Sequence, residues 1–411
     1  MPKYDLAIAG AGLGGLAAAA LMSSRGKKVI VYESGSPESA LGVRACDGFR
    51  FFRGPSLSYG FEQRGVCREF FAKLSDSPLP SMQHAPCFQV ALPDRRITVS
   101  ANRDETLDEL RREFPREVRS IEKFYRDIRK ESEHAAKSRF SFFLAKHRPA
   151  LRFLRKYAFS RELTLFFDIQ SRYFFHRPIE HLSTATLMLL CETMPVQFYG
   201  GNRTLAKHFL SVLRKNGGEA HYGKEQAEVA FKKNRAIGIA IGGNVSEADT
   251  VLVCAEPGPS AVQYLGIFDD VVPVGMVRDV LYLPEYARHE EFLALSLSAQ
   301  DDPASAPQSA RALTVALQSK RDGKNLQDAV AGPLSEIMPF LNDNLYFTEQ
   351  AQPPAPSFRL PADISFKRSW SAHETELLFR SSKRNLYVLQ EAPHMPTDLL
   401  SVVQKFVKHI S

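Results

Sequence analysis

No apolar run in this chain approaches the roughly eighteen residues that a membrane-spanning helix needs, so no such helix is expected. Cysteine is also scarce. Cys46, Cys67, Cys87, Cys191 and Cys254 are scattered, odd in number and in no C-x-x-C pair. That excludes a disulfide framework and a cysteine zinc site, and it fits a reducing compartment. The chain lacks H-E-x-x-H, a Ser/His/Asp order and paired acids at helical spacing, so no metal is expected and hydrolytic chemistry has no candidate. An export signal is not expected either. Lys3 precedes the alanine-rich run from Leu6 to Met22, but Asp5 and four glycines interrupt it, which an apolar signal core would not tolerate. The expectation is a soluble, cytoplasmic protein, either free or peripheral to a membrane.

What is present is ordinary in bulk and uneven in detail. With 411 residues, 44% of them hydrophobic, the chain can bury a sizeable core in about two or three domains. The net charge of +7 gathers in the region 103–161. A basic region of this kind reads as a solvated helical face or as a contact with an anionic membrane. No nucleic-acid motif accompanies it, and no nucleic-acid partner is expected.

The densest signal is at the start. Leu6 to Ala9 is a short apolar run that stops at glycine, as a buried parallel strand does. Gly10, Gly12 and Gly15 then form G-x-G-x-x-G, with Leu13 and Gly14 inside it, and Leu16 to Met22 reads as a helix opening from that turn. Gly10 allows the tight turn, Gly12 lets backbone approach a pyrophosphate, and Gly15 lets helix and strand pack closely; the helix N-terminus offers N–H groups to the phosphates. Val29 to Tyr32 is a second strand, and Glu33, followed by Ser34, is placed to accept hydrogen bonds from an adenosine ribose. Strand, turn, helix, strand and terminal acid in one continuous unit specify a dinucleotide site.

Further along, Phe88 to Leu92 and Arg96 to Val99 read as a hairpin across Pro93-Asp94. From Thr106 the apolar residues Leu107, Leu110, Phe114, Val118, Ile121, Phe124, Tyr125 and Ile128 recur at helical spacing, with Pro115 dividing or kinking the helix. Phe140, Phe142, Phe143 and Leu144 form an apolar knot between basic residues, and helices follow over 160–176 and 183–193. Most of these aromatics read as core; the other reading is a cap over a hydrophobic substrate, with Phe140 to Leu144 dipping into a membrane. A helix from Thr204 to Lys215 ends at Gly217-Gly218, as a left-handed cap would. Val229 to Phe231 and Ala236 to Ile241 form a hairpin, and Thr250 to Ala255 is a buried strand. Val280 to Leu283, Phe292 to Ser298 and Ala312 to Leu317 are strand-like, Asn325 to Leu341 is helical, Asn385 to Leu389 is a last strand and Thr397 to Ile410 a closing helix.

In these segments the chain resembles the FAD-dependent phytoene desaturase branch of the amine oxidase superfamily. Asp47-Gly48-Phe49 to Gly54-Pro55-Ser56 is similar to its D-G-F-x-F-D-x-G-P-S, and Ala248-Asp249-Thr250-Val251-Leu252-Val253-Cys254-Ala255-Glu256-Pro257 to its A-D-x-V-V-x-x-A-x-P. The resemblance spans essentially the whole chain. It implies an α/β fold: a discontinuous Rossmann-like FAD-binding domain of the glutathione reductase type, with an inserted α+β substrate domain. The FAD domain would comprise 1–95, 196–265 and 365–411. The substrate domain would comprise 96–195 and 266–364, with a helical cap over 103–193. The implied cofactor is FAD, the implied reaction is hydride transfer, and the implied partner is a hydrophobic, often isoprenoid, small molecule.

The resemblance adds cofactor contacts at Gly42 and Arg44, which stand as G-x-R where the family has G-G-R, and at Gly54, Pro55, Val229 and Glu391. Glu391 keeps the acid of a C-terminal Gly-Asp, but Gln390 replaces its glycine. These departures leave open a degenerate relative that binds without redox turnover. Gln390-Glu391-Ala392-Pro393-His394 also echoes the G-D-A-A-H of aromatic hydroxylase-type flavin monooxygenases. No catalytic residue is assigned. His176, His181 and His394 only neighbour apolar segments or the altered motif, and a structural role is their default.

Overall fold

The structure is a computed structural model that describes residues 3–36, 43–52, 56–62, 65–74, 79–80, 82–198, 201–255, 261–300, 302–318, 326–350, 358–360, 364–368, 377–390 and 396–411. Its first sheet is built on parallel strands in the order Glu219–Gly223, Val29–Ser34, Tyr4–Ala9 and Asn244–Ala255. Leu6 to Ala9 and Val251 to Val253 are fully buried, as continuous apolar runs become when a parallel sheet is covered on both faces. The long strand Asn244–Ala255 serves two ladders. Its start pairs antiparallel with Arg235–Ile241, and its end pairs parallel with Leu386–Gln390. The residues nearest the C-terminus therefore return beside those that follow the N-terminal strand.

Helices Leu13–Ser23, Asn202–Lys215 and Pro396–Ile410 cover one face of this sheet. The first of them is buried all round, and its Ala17 to Ala20 carry only a methyl each, which lets neighbouring helices approach closely. The hairpin Ala227–Lys232 and Arg235–Ile241 covers the other face, packing Val229, Ala236 and Ile239 against Ala7, Ala9, Val251 and Val253.

A second sheet has the order Leu345–Gln350, Ala261–Phe268, Ala310–Gln318, Phe292–Leu297, Asp279–Tyr282, Cys87–Leu92 and Arg95–Ser100. It is antiparallel except where Asp279–Tyr282 runs parallel to Cys87–Leu92. Helix Leu326–Ile337 packs on one face, and the helical block spanning Arg103 to Glu192 packs with Phe88, Val90, Leu281 and Phe292 on the other. Sheet membership differs from the sequence reading at two places. Cys87–Leu92 and Ala261–Phe268 hydrogen-bond into the second sheet, although domain limits at 95 and 265 place them with the first. A hairpin such as Cys87–Ser100 has no local feature that says which sheet it extends.

Pro115 does divide the first long helix, into Arg103–Glu113 and Val118–Lys137. The ring of Phe124 sits at the centre of the helical block, with Tyr125, Phe153, Tyr157, Phe159 and Phe167 all edge-on at centroid distances of 5.2 to 6.0 Å. Edge-to-face contact sets the positive ring edge against the negative ring face and adds to the gain from burial. The aromatics of Arg161–Phe175 are largely core, as read: Phe166, Phe167 and Phe174 are buried. Helix Arg139–His147 is the exception, for Phe140, Phe142, Phe143 and Leu144 are exposed. Phe124→Ala should lower the unfolding free energy by about 3–5 kcal/mol, while Phe140→Ala should change it by no more than about 0.5 kcal/mol. Urea unfolding of both variants checks the contrast.

Candidate dinucleotide site

The glycine turn opens where strand Tyr4–Ala9 ends. Gly10 has φ +106° and donates its N–H to the Tyr32 carbonyl at 2.8 Å, which joins the turn to the second strand. A Cβ at Gly10 would stand 2.8 Å from the Cys254 carbonyl oxygen, and one at Gly15 would stand 2.3 Å from the Gly10 carbonyl oxygen. Both spacings are closer than any side chain tolerates, so these two glycines are steric requirements of strand–turn–helix packing. Gly12 is the helix N-cap, in extended conformation and with no side chain to cap the first turn, and that turn carries no acidic residue. The first-turn N–H groups and the positive end of the helix dipole therefore suit an anion.

Glu33 lies at the other edge of the turn. Its Oε2 accepts the Ala11 N–H at 2.5 Å, which locks the carboxylate beside the glycine loop. Tyr32 stacks on His221 at a centroid distance of 5.4 Å, and its hydroxyl lies 2.6 Å from that of Ser246. In the ladder Glu33 stands opposite Tyr222, and Ser34 opposite Gly223. The Tyr222 hydroxyl is buried and has no hydrogen-bond partner among the described residues. Its pKa is raised, chiefly by burial; Arg214 opposes the shift and the Glu33 charge adds to it. A buried, unpaired hydroxyl beside a carboxylate is costly unless a ligand completes it. Sequence reasoning missed Tyr222 because Glu219–Gly223 is short and shows no apolar periodicity.

The other expected contacts are more dispersed. Arg44 lies on strand Val43–Cys46, and its guanidinium is engaged by the Glu349 carboxylate of the second sheet, with Nε to Oε2 at 3.1 Å. Val229 is buried against the first sheet. Gly42, Gly54, Pro55, Glu391 and His394 lie outside the described residues. His176 takes the left-handed C-cap of helix Arg161–Phe175, and His181 sits in a 3-10 turn over Ile179–His181. No group of His, Cys, Asp and Glu among the described residues could hold a metal ion.

A second polar focus was not flagged by the sequence. Asp279 opens a strand of the second sheet and is buried. Its Oδ1 accepts hydrogen bonds from the hydroxyls of Ser56 and Ser296, the latter at 3.0 Å. Burial pushes its pKa up, against the opposing effects of Ser56, Arg278 and Ser296. Tyr173 and Cys87 lie close enough that the Asp279 charge adds to the raised pKa that burial gives each of them. Ser56 directly precedes strand Leu57–Ser58, so the acid ties the start of that strand to the second sheet.

Residues 8–74 match the NAD(P)-binding Rossmann-like domain family. Over 312 residues the chain is 26% identical to a 4,4'-diapophytoene desaturase (4,4'-diapolycopene-forming) from a Methylomonas species, covering 69% of this chain and 58% of that protein. It is similar in fold to an oxidoreductase from Methanosarcina mazei, with TM-score 0.63, 16% identity and coverage of 97% and 99% of the two chains. It is also similar to a RAB GDI from Plasmodium falciparum, with TM-score 0.65, 12% identity and coverage of 99% and 97%. The desaturase match is a likeness in sequence, and the two structural matches are likenesses in fold. The α/β class with a Rossmann-like dinucleotide unit holds as well. The superfamily likeness extends well beyond the glycine turn, because the desaturase match covers more than the turn's own domain. No helix among the described residues is long and apolar enough to cross a membrane.

A buried acid whose pKa is raised leaves a pH signature. The folded pKa of Asp279 is raised above its unfolded value of about 3.9, so its contribution to stability is complete below that pH and is lost as pH rises through the folded value. Asp279→Asn keeps an acceptor for both serines but cannot ionise. As pH rises above about 4, the variant should gain stability relative to wild type. Urea midpoints that shift in parallel for both proteins would show that burial does not raise this carboxyl.

Proposed function

We propose that the chain is an FAD-dependent oxidoreductase that transfers a hydride between flavin and a hydrophobic, isoprenoid-like substrate. The observation that carries this reading is the glycine turn with Glu33 fixed on the Ala11 N–H, together with the similarity to a diapophytoene desaturase. Gly10, Gly12, Leu13, Gly14 and Gly15 hold the pyrophosphate, and Glu33, Ser34 and Tyr222 face the adenosine end. Gly42, Gly54, Pro55, Val229 and Glu391 complete the contacts, while Arg44 stays with Glu349. When bound, FAD supplies the hydride acceptor or donor. The protein's part is to fix the cofactor's adenosine diphosphate, exclude water and hold the substrate. The first sheet with its three helices forms the cofactor domain; the second sheet and the helical block form the substrate domain. The basic region 103–161 provides peripheral membrane contact, from which a hydrophobic substrate is taken.

One observation favours a second reading, a binding protein on the same fold without redox turnover. Arg44, at the G-x-R position, is neutralised by Glu349 and is not free to meet a pyrophosphate. Bleaching of bound flavin by a hydrophobic substrate under anaerobic conditions would exclude that reading. For the leading one, purified protein should carry the absorbance of flavin or take up FAD on reconstitution. Protein that does neither would refute it. Glu33→Ala should weaken FAD binding by about tenfold or more, as expected for losing a hydrogen bond to a charged group. Tyr222→Phe should weaken it less, and fluorescence titration reads both.

A further inference from the structure

Helix Arg139–His147 is amphipathic in the wrong sense for a soluble protein. Phe140, Phe143, Leu144 and His147 recur at i, i+3, i+4 and i+7, so they share one face. That face points outward: Phe140 is 69% exposed, Phe143 56% and Leu144 51%, with Phe142 beside them at 42%. The inward side is built from small residues, with Ala145 fully buried and Ser141 half-buried. The Ser138 hydroxyl caps the first turn by accepting the Ser141 N–H, and the Phe143 ring packs tilted against His147 at a centroid distance of 4.4 Å. The helix is thus locally complete, yet its large apolar groups face away from the protein.

The surrounding charge is one-sided. From His134 to Arg161 the sequence has Lys137, Arg139, Lys146, Arg148, Arg152, Arg155, Lys156 and Arg161, and no Asp or Glu. Among the described residues Lys137, Arg139, Lys146, Arg152 and Arg155 take part in no ion pair, whereas Arg148 pairs with Glu131 at 2.7 Å. Helix Arg103–Glu113 differs. Arg103 pairs with Glu192, Arg111 with Asp108 and Glu122, and Arg112 with Glu109 and Glu113. The cations of Arg103–Glu113 are thus already matched by carboxylates. Helix Val118–Lys137 also carries cations without an ion pair among the described residues, Arg119, Lys123, Arg126 and Lys130, but Glu122, Asp127, Glu131 and Glu133 are interspersed with them; the charge becomes one-sided where the exposed aromatics begin.

We infer that helix Arg139–His147 is the membrane-docking element of this protein, inserting Phe140, Phe143 and Leu144 into the interface of an anionic bilayer while its flanking cations meet lipid headgroups. Exposed aromatics and unpaired cations on one short helix match the two components of interfacial binding, apolar burial and attraction to anionic lipid. A second protein copy fits poorly, because the same unpaired cations would face each other across a symmetric contact. The assignment deepens the membrane-contact part of the proposed function and narrows it from the region 103–161 to one helix. It does not rest on the flavin reading.

The test uses the full-length protein with vesicles of phosphatidylcholine alone and of phosphatidylcholine mixed with phosphatidylglycerol. Wild type should co-sediment with the mixed vesicles and release as salt is raised. The double variant Phe140→Ser/Phe143→Ser should bind at least about tenfold more weakly with an unchanged melting temperature, since both rings are already exposed. Arg139→Glu/Lys146→Glu should lose the preference for phosphatidylglycerol. Wild type that stays in the supernatant with both vesicles at low salt would overturn the inference. So would a double variant that binds like wild type, or one whose only change is from a dimer to a monomer in sedimentation velocity. Flavin content read from the same samples separates this outcome from that of the cofactor proposal.

Discussion

The structure depends on one close approach. Backbone at Gly10 and Gly15 passes within contact distance of Cys254, on a strand that enters the chain more than two hundred residues later. That contact requires Tyr4–Ala9 and Asn244–Ala255 to lie side by side in parallel, and their register from Tyr4 with Ala248 to Ala9 with Val253 delivers it. The helix after the turn can then lie flat on the sheet, directing its N-terminus at the space that Glu33 borders. Any side chain at Gly10 or Gly15 would separate strand from helix, and the anion-binding geometry would go with it.

The second sheet has a different logic. Its strands come from three distant parts of the chain and enclose a polar group, Asp279, that two serine hydroxyls hold in place. Ser56 directly precedes strand Leu57–Ser58, which pairs with Val196–Phe198, so this buried acid ties a separate small sheet to the second one. The helical block above is held by rings: Phe124 alone meets five others edge-on. The helical block is thus held largely by ring contacts, whereas the strand–turn–helix unit at the start is set by close backbone packing.

Much of this was legible beforehand. The helices around Ile121 to Ile128 and Leu163 to Phe174, the break at Pro115, the hairpin through Lys233-Asn234 and the closing helix all follow from local periodicity and turn chemistry. The missed strands explain themselves. Glu219–Gly223 alternates exposed and half-buried side chains and has no apolar run, and it exists only because Val29–Ser34 offers it a free edge. Ala261–Phe268 has no place among the elements read from local pattern, and its partners, Ala310–Gln318 and Leu345–Gln350, lie about fifty and eighty residues further on. Arg44 stands at the position of a phosphate-binding arginine, and its partner Glu349, 305 residues away, has no local signal that would reveal it.

The sequence by itself determined the dinucleotide turn, because its requirements are local: a left-handed φ at Gly10, absence of a Cβ at Gly15 and an acid at the end of the next strand. It also determined the long helices with regular apolar spacing, though not the short helix Arg139–His147. Only the tertiary structure decided which sheet a strand joins, that Asp279 is buried and that Tyr222 stands beside Glu33. It likewise decided that Phe140, Phe143 and Leu144 face outward while Phe166 and Phe167 face in. Periodicity reports that a helix has an apolar face; what that face meets depends on chain segments far away in sequence.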